Sequence, residues 1–415
     1  MGILSGACLF FAHADSLDIK TKFVGLGSFE AGQVVKGEPM GSDNSVEKIW
    51  YQRVYMDLGF NAVVDQRNEF YLVGESMVHY SWTQNKDFLE NDKPQYLFYP
   101  DHVEGSHTFG NLDHPYLKIG FGVFPFKYNQ DVRNLGEYLY RTGTYPPVMS
   151  SQFDFPLARL TGFRLSSQPV DSLHLCAMLT TESRVLPLQD YGVSVLGDYT
   201  FLKAITVGAG VFWSHLLSVN GNFTAPTINN QAPIDSANPD TIYYTFQSTK
   251  LMGRLATDLK AFFPSHLFGD NDLRLYSEVA ILGLKDYPLY YKEFWRRIPV
   301  MVGFNLPAFR ILDVLAVECE WYKWNYPNSY TDYIWNSQVP QPDIVSPNYD
   351  PLQNEFKWSF YAKKYVGKNF FFVGQIAYDH MQLESNVFQQ GGAYFGDAMH
   401  KHGGWAWLLK CAFTL

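Results

Sequence analysis

The final segment of the chain, residues 405–415, alternates between two kinds of side chain with a period of two residues. Successive side chains of a β-strand point to opposite faces, so this segment has one bulky apolar face and one face of small or polar residues. The apolar face carries Trp405, Trp407, Leu409, Cys411, Phe413 and Leu415. Such a strand suits a wall between lipid and a polar lumen, although a buried strand of a β-sandwich fits the isolated segment equally well.

Composition favours the membrane interpretation. Aromatic residues make up 17% of the chain and charged residues 18%, below the roughly 25% charged content of soluble domains. The mean hydropathy is nevertheless slightly polar, at −0.17. This combination is expected when one half of each strand faces lipid and the other half faces water. Beyond the N-terminus no apolar run is long enough for a membrane-spanning helix, and the net charge of −9 gives no basic surface for nucleic acid.

Alternating segments recur along the whole chain, and no Pro-, Ser- or charge-rich linker divides it. The sequence therefore predicts one domain over residues 15–415 with an all-β fold, a transmembrane antiparallel β-barrel of about 16 strands, with 14 to 18 strands also compatible. The predicted strands are 17–34, 47–64, 69–84, 94–108, 115–128, 155–167, 171–183, 189–201, 203–217, 241–262, 271–286, 293–306, 309–325, 354–366, 369–386 and 403–415.

The N-terminal residues 1–14 are mostly apolar and end in Ala12-His13-Ala14, a small-residue cleavage pattern. This pattern predicts a signal peptide and a mature chain that starts at Asp15, with the first apolar segment of the fold as the alternative. Cys176, Cys319 and Cys411 are widely spaced and indicate neither a disulfide framework nor a zinc site.

The connections between the predicted strands fall into a short class and a long class. Bacterial barrels have short turns at the periplasmic end and longer loops outside, so we assign the short class to the periplasm. Its members are residues 65–68, 168–170, 201–203, 306–308 and 366–369, and the long class comprises residues 129–154, 218–240, 326–353 and 387–402. Both termini then lie on the periplasmic side, as an even number of strands requires.

The predicted inner face carries nearly balanced charges. Its basic positions are Arg53, Lys118, Arg164, Lys250, Arg254, Arg274, Lys357, Lys363 and Lys410, and its acidic positions are Asp57, Glu75, Asp198, Asp258, Glu278, Glu318, Glu320 and Asp379. Sixteen strands enclose an aqueous channel, and unpaired charges need water, so we expect a hydrated pore of mixed charge with near-zero ion selectivity. A plugged lumen filled by side chains is the alternative.

The long connection after the fifth predicted strand, residues 129–147, is the third external loop. Val132, Leu135 and Leu139 are spaced as on one face of a helix, and the charged residues Arg133, Glu137 and Arg141 lie four apart. The pattern predicts a short helix that folds into the barrel and narrows it, with a helix on the outer rim as the alternative. The predicted constriction residues are Asp131, Arg133, Glu137, Tyr138 and Arg141.

Residues 116–127 (YLKIGFGVFPFK), the following aromatic and charged segment to Arg141, and residues 157–165 (LARLTGFRL) resemble phosphate-selective-type outer-membrane porins. The resemblance covers about 60 residues and implies a sixteen-strand general or anion-preferring porin that is commonly trimeric. The chain departs from a phosphate selector because its inner face has no Arg/Lys ladder. Leu415 also stands where the family usually has a terminal Phe.

No GxSxG, HExxH, Walker A or dinucleotide-binding motif is present, so we expect neither an enzyme nor a cofactor. Glu318 and Glu320 could mimic a glycosidase pair, but lumen charges explain them better, and His400 with His402 lacks a third metal ligand. The sequence favours an outer-membrane porin for passive diffusion of small hydrophilic solutes or ions, with membrane lipid and lipopolysaccharide as partners and a homotrimer as a further expectation. The alternative is an adhesive surface β-protein that binds polysaccharide through its long loops.

Overall fold

The computed structural model describes residues 18–36, 48–82, 95–140, 158–181, 190–217, 219, 231–235, 238–243, 248–262, 266–284, 298–322, 355–378, 382–383, 396–397 and 404–415. The signal peptide predicted for residues 1–14 lies outside this part of the chain. The wall strands are β1 (Ile19–Lys36), β2 (Ile49–Val64), β3 (Asn68–Trp82), β4 (Gln95–Gly110), β5 (Pro115–Phe126), β6 (Ala158–Val170), β7 (Leu173–Thr181), β8 (Tyr191–Phe201), β9 (Ile205–Leu217), β10 (Ser248–Asp258), β11 (Arg274–Ile281), β12 (Val300–Asn305), β13 (Val314–Tyr322), β14 (Glu355–Val366), β15 (Phe370–Tyr378) and β16 (Trp405–Thr414).

These sixteen strands form one closed antiparallel barrel in chain order, and β1 pairs with both β2 and β16. The predicted fold class is therefore confirmed. Two small hairpins lie apart from the wall: Gln231–Asp235 pairs with Asn238–Tyr243, and Gln382–Leu383 pairs with Gly396–Asp397. No helix among the described residues is long and apolar enough to cross a membrane.

Several predicted strands were too long at their ends. The strand predicted over residues 241–262 begins only at Ser248, and a 3-10 turn follows it at Leu259–Phe262. The strand predicted from residue 309 begins at Val314, because Phe309 and Arg310 adopt positive φ angles in a turn. The ladder between β3 and β4 has a register shift between Val73 and Gly74.

The two faces of the wall differ as the alternation predicts. In β2, Phe60 on the outer face is 56% exposed, whereas Tyr55 on the inner face is 1% exposed. The apolar outer face continues around the barrel through exposed residues such as Phe121, Phe163 and Phe372. One inner residue of β9, Phe212, breaks the apolar-out pattern because its ring packs at 5.5 Å from Tyr140, a residue inside the barrel.

A buried row of charges crosses the seam where the barrel closes. Glu30 on β1 lies directly opposite Arg53 on β2 and Lys410 on β16 in the two ladders. Its carboxylate is 2.5 Å from the Arg53 guanidinium and 3.4 Å from the Lys410 ammonium. Lys410 also donates to the Tyr55 hydroxyl. Because a one-residue slip would place Glu30 on the apolar outer face, this row fixes the register of the closing strand.

We expect Glu30→Gln to destabilise the barrel by about 3–5 kcal/mol, since it leaves two cations buried without their carboxylate. Urea unfolding in lipid vesicles, followed by tryptophan fluorescence, measures this change. The matched control is Glu69→Gln, because Glu69 pairs with Lys118 at 2.8 Å in a partly exposed position. That variant should lose about 1 kcal/mol or less. Equal losses in the two variants would contradict a special role for the seam row.

Candidate functional site

A segment that follows β5 contacts the inner wall of the barrel. The ladder between β4 and β5 ends at the pair Val103 and Val123, and β5 itself ends at Phe126. The next described residues, 127–140, are called the inner segment below. Their hydrogen bonds reach inner-face residues on strands from β8 to β14. The inner segment therefore follows nearly half of the wall's circumference.

Glu318 on β13 is the main anchor of the inner segment. Its two carboxylate oxygens accept the backbone N–H groups of Arg133 at 2.5 Å, Asn134 at 2.7 Å and Leu135 at 2.8 Å. The Tyr276 hydroxyl donates a fourth hydrogen bond at 2.8 Å. Hydrogen bonds to an ionised acceptor are stronger than neutral ones, so this single side chain holds three consecutive residues against the wall.

Glu278 on β11 is a second anchor of the same kind. It accepts the Asn129 side-chain amide at 2.7 Å and the Glu137 backbone N–H at 2.6 Å. The Glu137 carboxylate turns back and accepts the Asn129 backbone N–H. These bonds join the two ends of the inner segment to each other and to one wall strand.

The predicted helix is wrong for the described part of this loop. Residues 127–140 form turns and bends, and Gly136 and Glu137 have positive φ angles of 92° and 59°. An α-helix would pair its backbone N–H groups with its own carbonyl oxygens. Here the N–H groups of residues 133–135 and 137 donate to wall carboxylates instead. The spacing of four residues between Arg133 and Glu137 therefore reflects no helical face.

Apolar packing reinforces the hydrogen bonds. Val132, Leu135, Tyr138 and Leu139 are completely buried, and they belong to one apolar cluster with wall residues. The wall contributes Phe124, Met178, Leu196, Met252, Ala256, Tyr276, Ala280 and Met301. Tyr138 also donates its hydroxyl to Glu320 on β13 at 2.8 Å. The inner segment thus has its own small core inside the barrel.

Tyr128 ties the start of the inner segment to the opposite side of this core. Its hydroxyl lies 2.7 Å from the Gly197 carbonyl on β8 and 3.0 Å from the Ala209 carbonyl on β9. Burial raises the pKa of Tyr128 to about 12, so the phenol remains a neutral donor at physiological pH. Gly208 is required beside it, because a Cβ at that position would collide with the Tyr128 hydroxyl.

The charged residues of the inner face are less exposed to solvent than the sequence predicts. Arg53, Asp57, Glu75, Glu278, Glu318, Glu320 and Lys410 are all buried, and we had expected such charges to stay hydrated. Most of them are close to a partner of opposite charge or a hydrogen-bond donor; Lys357, for example, lies 3.3 Å from Glu320 with both side chains fully buried. Asp57 is the exception, because it lies opposite Glu75 and one of its oxygens has no hydrogen-bond partner within the described chain. Paired and hydrogen-bonded charges avoid the penalty that an isolated buried charge carries.

The other predicted pore residues make several kinds of contact with the wall or with the inner segment. Arg254 contacts Asp198 at 3.0 Å, and Arg274 contacts Asp131 at 3.0 Å. Asp57 lies opposite Glu75 in the ladder between β2 and β3. Asp258 accepts the Lys260 backbone N–H at the end of β10, near the short-turn end of the barrel. Arg141 and Asp379 lie outside the described residues.

Arg159 is a site residue that the alternation missed. It is five residues from Arg164 and thus has the opposite phase on β6, yet it contacts Asp101 at 2.6 Å and Glu75 at 2.5 Å. The ladder between β4 and β5 has ended at this level, and Arg159 bridges β6 to β4 and β3 there. The proline-containing end of β5, residues 125–126, was the only hint in the sequence of this gap.

Exposure is unequal within these ion pairs. Arg164 is 22% exposed but its partner Glu104 only 3%, and Arg274 is 35% exposed but Asp131 only 9%. Arg159 likewise covers the more deeply buried Glu75. Arg133 forms no ion pair within the described chain, and its guanidinium lies 5.8 Å from the Tyr361 ring. Other pairs show the reverse: Asp198 is 14% exposed and Arg254 9%, and Asp101 is 20% exposed and Arg159 17%. Neither sign of charge therefore dominates among the described ion pairs, and Arg133 adds one positive group without an ion pair.

No protein-family model and no curated protein matches this chain. Among solved structures, mutants of the Rhodopseudomonas blastica porin align over 95% of this chain and 100% of their own length. One mutant has 9% sequence identity and a TM-score of 0.46, and a second has 8% identity and a TM-score of 0.47. A structure described as "Asymmetric conductivity of engineered proteins" aligns with 8% identity and a TM-score of 0.46. The closed sixteen-strand topology of this chain is established by its own strand pairing.

We expect Glu318→Gln to release the inner segment, because an amide has one acceptor oxygen where the carboxylate serves three backbone N–H groups. Each lost bond to a charged acceptor contributes about 1.5–3 kcal/mol, so the released population should rise at least about tenfold. Trypsin cleavage after Lys127 or Arg133, followed by mass spectrometry, detects release from the barrel.

Glu104→Gln is the matched control, since Glu104 is an equally buried inner-face carboxylate that pairs with Arg164 and His102. This variant should keep the protection of the unaltered protein. If Glu318→Gln were cleaved no faster than Glu104→Gln, Glu318 would not be the anchor.

Proposed function

We propose that this protein is an outer-membrane porin through which small hydrophilic solutes and ions diffuse passively. The observation that carries the proposal is the inner segment, which carboxylates on the wall hold inside a closed barrel with a polar inner face. A segment in this position narrows the lumen and leaves passage along the opposite wall. Such transport needs no cofactor, energy input or catalytic residue.

The apolar outer face supports integration into the outer membrane. Barrels of this type have short turns at the periplasmic end, so the short connections of this barrel and both ends of its wall face the periplasm in our proposal. Membrane lipid and lipopolysaccharide would then contact the outer face. Assembly into a homotrimer remains a prediction.

Unequal exposure of the inner charges changes the expected ion selectivity. A count of charges predicts almost none. Arg164 and Arg274 are more exposed than their carboxylate partners, although Asp198 is more exposed than Arg254. Arg133 of the inner segment forms no ion pair within the described residues and adds one uncompensated positive charge. A narrow lumen with low-dielectric walls strengthens the influence of accessible charges. We therefore expect a weak preference for anions, without specificity for one anion.

The alternative, an adhesive surface protein, depends on long loops such as residues 326–353, which lie outside the described residues. No contact in the described part of the chain favours it. A soluble β-sandwich is incompatible with the closed barrel.

Purified protein in a planar bilayer should give discrete ohmic conductance steps. In the double variant Glu278→Gln/Glu318→Gln, each step should be larger or noisier, because the inner segment is less firmly held and leaves a wider path. Glu104→Gln serves as the control and should conduct like the unaltered protein. Repeated insertion without any current would reject the porin and leave the adhesive alternative.

The reversal potential in a salt gradient should show a modest anion preference. Arg133→Gln should reduce the anion-to-cation permeability ratio by a factor of up to about 8 at low salt, since one charge about 7 Å away in water changes the energies of an anion and a cation by about 0.6 kcal/mol each, in opposite directions. Lys118→Gln should change it less, because the Lys118–Glu69 pair lies near the short-turn end of the barrel, away from the inner segment. A reversal potential of zero in the unaltered protein would contradict the anion preference and support the near-zero selectivity predicted from the number of charges.

A further inference from the structure

Two tight turns at the short-turn end present a large apolar residue next to a basic one. The turn between β8 and β9 has Leu202 and Lys203 at its centre, and the turn between β12 and β13 has Phe309 and Arg310. Both turns are closed by a backbone hydrogen bond of 2.9 Å, from Ala204 to Phe201 and from Ile311 to Ala308. All four central residues are exposed.

These four residues have side chains that are unfavourable in the positive-φ backbone conformation of the two turns. Leu202 and Lys203 have φ angles of 51° and 57°, and Phe309 and Arg310 have 51° and 64°. Turns with two positive-φ residues strongly prefer Asn, Asp and Gly, because other side chains are strained there. The stability of the turn therefore does not explain an apolar and basic pair at two connections of the same end of the barrel.

A rigid hydrogen-bond network joins the connections between β8 and β13. The Asp258 backbone N–H donates to Ala204 at 2.8 Å, which links the β8–β9 turn to the end of β10. The buried Asp272 accepts the Phe309 backbone N–H at 3.2 Å, and the Arg310 side chain donates to the Phe268 carbonyl at 3.4 Å. These bonds fix the turns as one platform, called the apolar rim below.

The exposed residues of the apolar rim are large. Leu202 is 82% exposed and Ile311 74% exposed, and Leu267, Phe262 and Phe309 are exposed as well. The Phe268 and Phe309 rings lie 5.8 Å apart. Across the barrel, the β2–β3 turn has the same two positive-φ positions, but Asp65 and Gln66 occupy them. The two positive-φ positions therefore carry an apolar and basic pair in the β8–β9 and β12–β13 turns but not in the β2–β3 turn.

We propose that the apolar rim binds the headgroup layer of the adjacent membrane leaflet and prefers anionic phospholipid. The apolar tips continue the apolar outer wall, so burial in the interface would remove them from water. Lys203 forms no ion pair within the described residues and lies beside these tips, where it attracts a phosphate group. A lipid surface matches both properties, whereas the Asp-Gln turn opposite stays in water.

The test compares two sets of substitutions that introduce the same Asn-Gly pair at positive-φ positions of tight turns. One variant carries Leu202→Asn, Lys203→Gly, Phe309→Asn and Arg310→Gly, and the control carries Asp65→Asn and Gln66→Gly. Asn-Gly suits both positive-φ positions, so both proteins should fold. Native mass spectrometry counts the lipids that each protein retains from bilayers of phosphatidylglycerol and phosphatidylcholine.

The unaltered protein and the Asp65/Gln66 control should retain phosphatidylglycerol preferentially, and the four-residue variant should lose about fivefold or more of that preference. Equal retention by all three proteins would overturn the proposal. A second result would also overturn it: the unaltered protein retains a soluble periplasmic protein and shows no lipid preference, and the four-residue variant no longer retains that protein.

The inference rests on the membrane placement in the proposed function but not on conduction. The four-residue variant should therefore conduct like the unaltered protein in a planar bilayer. Silent insertion of every protein would reject the porin while leaving the lipid comparison valid.

Discussion

Backbone N–H groups inside a barrel need acceptors, and this requirement governs both the wall and its contents. The wall meets it by closing, since β1 pairs with β2 on one side and β16 on the other and no strand edge is left over. The inner segment has no strand partner, so its N–H groups donate to Glu318 and Glu278 on the wall. The same physical need thus produces the ladders and the anchored segment.

Carboxylates that accept backbone N–H groups also explain why the interior tolerates so many buried charges. Glu30 is held between Arg53 and Lys410, and Glu320 is held by Lys357 and Tyr138. Each charge in these groups is stabilised by direct contacts that replace water. The lumen is consequently packed where the inner segment and the seam row lie, and guanidinium groups such as those of Arg164 and Arg274 cover more deeply buried carboxylates.

Alternation in the sequence was sufficient to predict the number of strands and most of their faces, because side-chain direction in a strand follows a period of two. It could not predict the path of the inner segment. The spacing of Val132, Leu135 and Leu139 suggested a helix, but the partners of that segment are Glu278 and Glu318, about 140 and 185 residues away. Arg159 was missed for a similar reason, since its position depends on where the β4–β5 ladder ends rather than on its own phase.

The wall holds the inner segment largely through backbone groups rather than side chains. The three N–H groups bound by Glu318 belong to residues 133–135, and any residue other than proline would present the same donors there. The position of the inner segment is therefore specified mainly by two glutamates on β11 and β13, together with the apolar cluster beneath it. The Asp131 carboxylate adds a side-chain contact, because it pairs with Arg274 on β11, whereas Arg133 forms no ion pair within the described residues. A change of charge should therefore disturb the segment less at Arg133 than at Asp131.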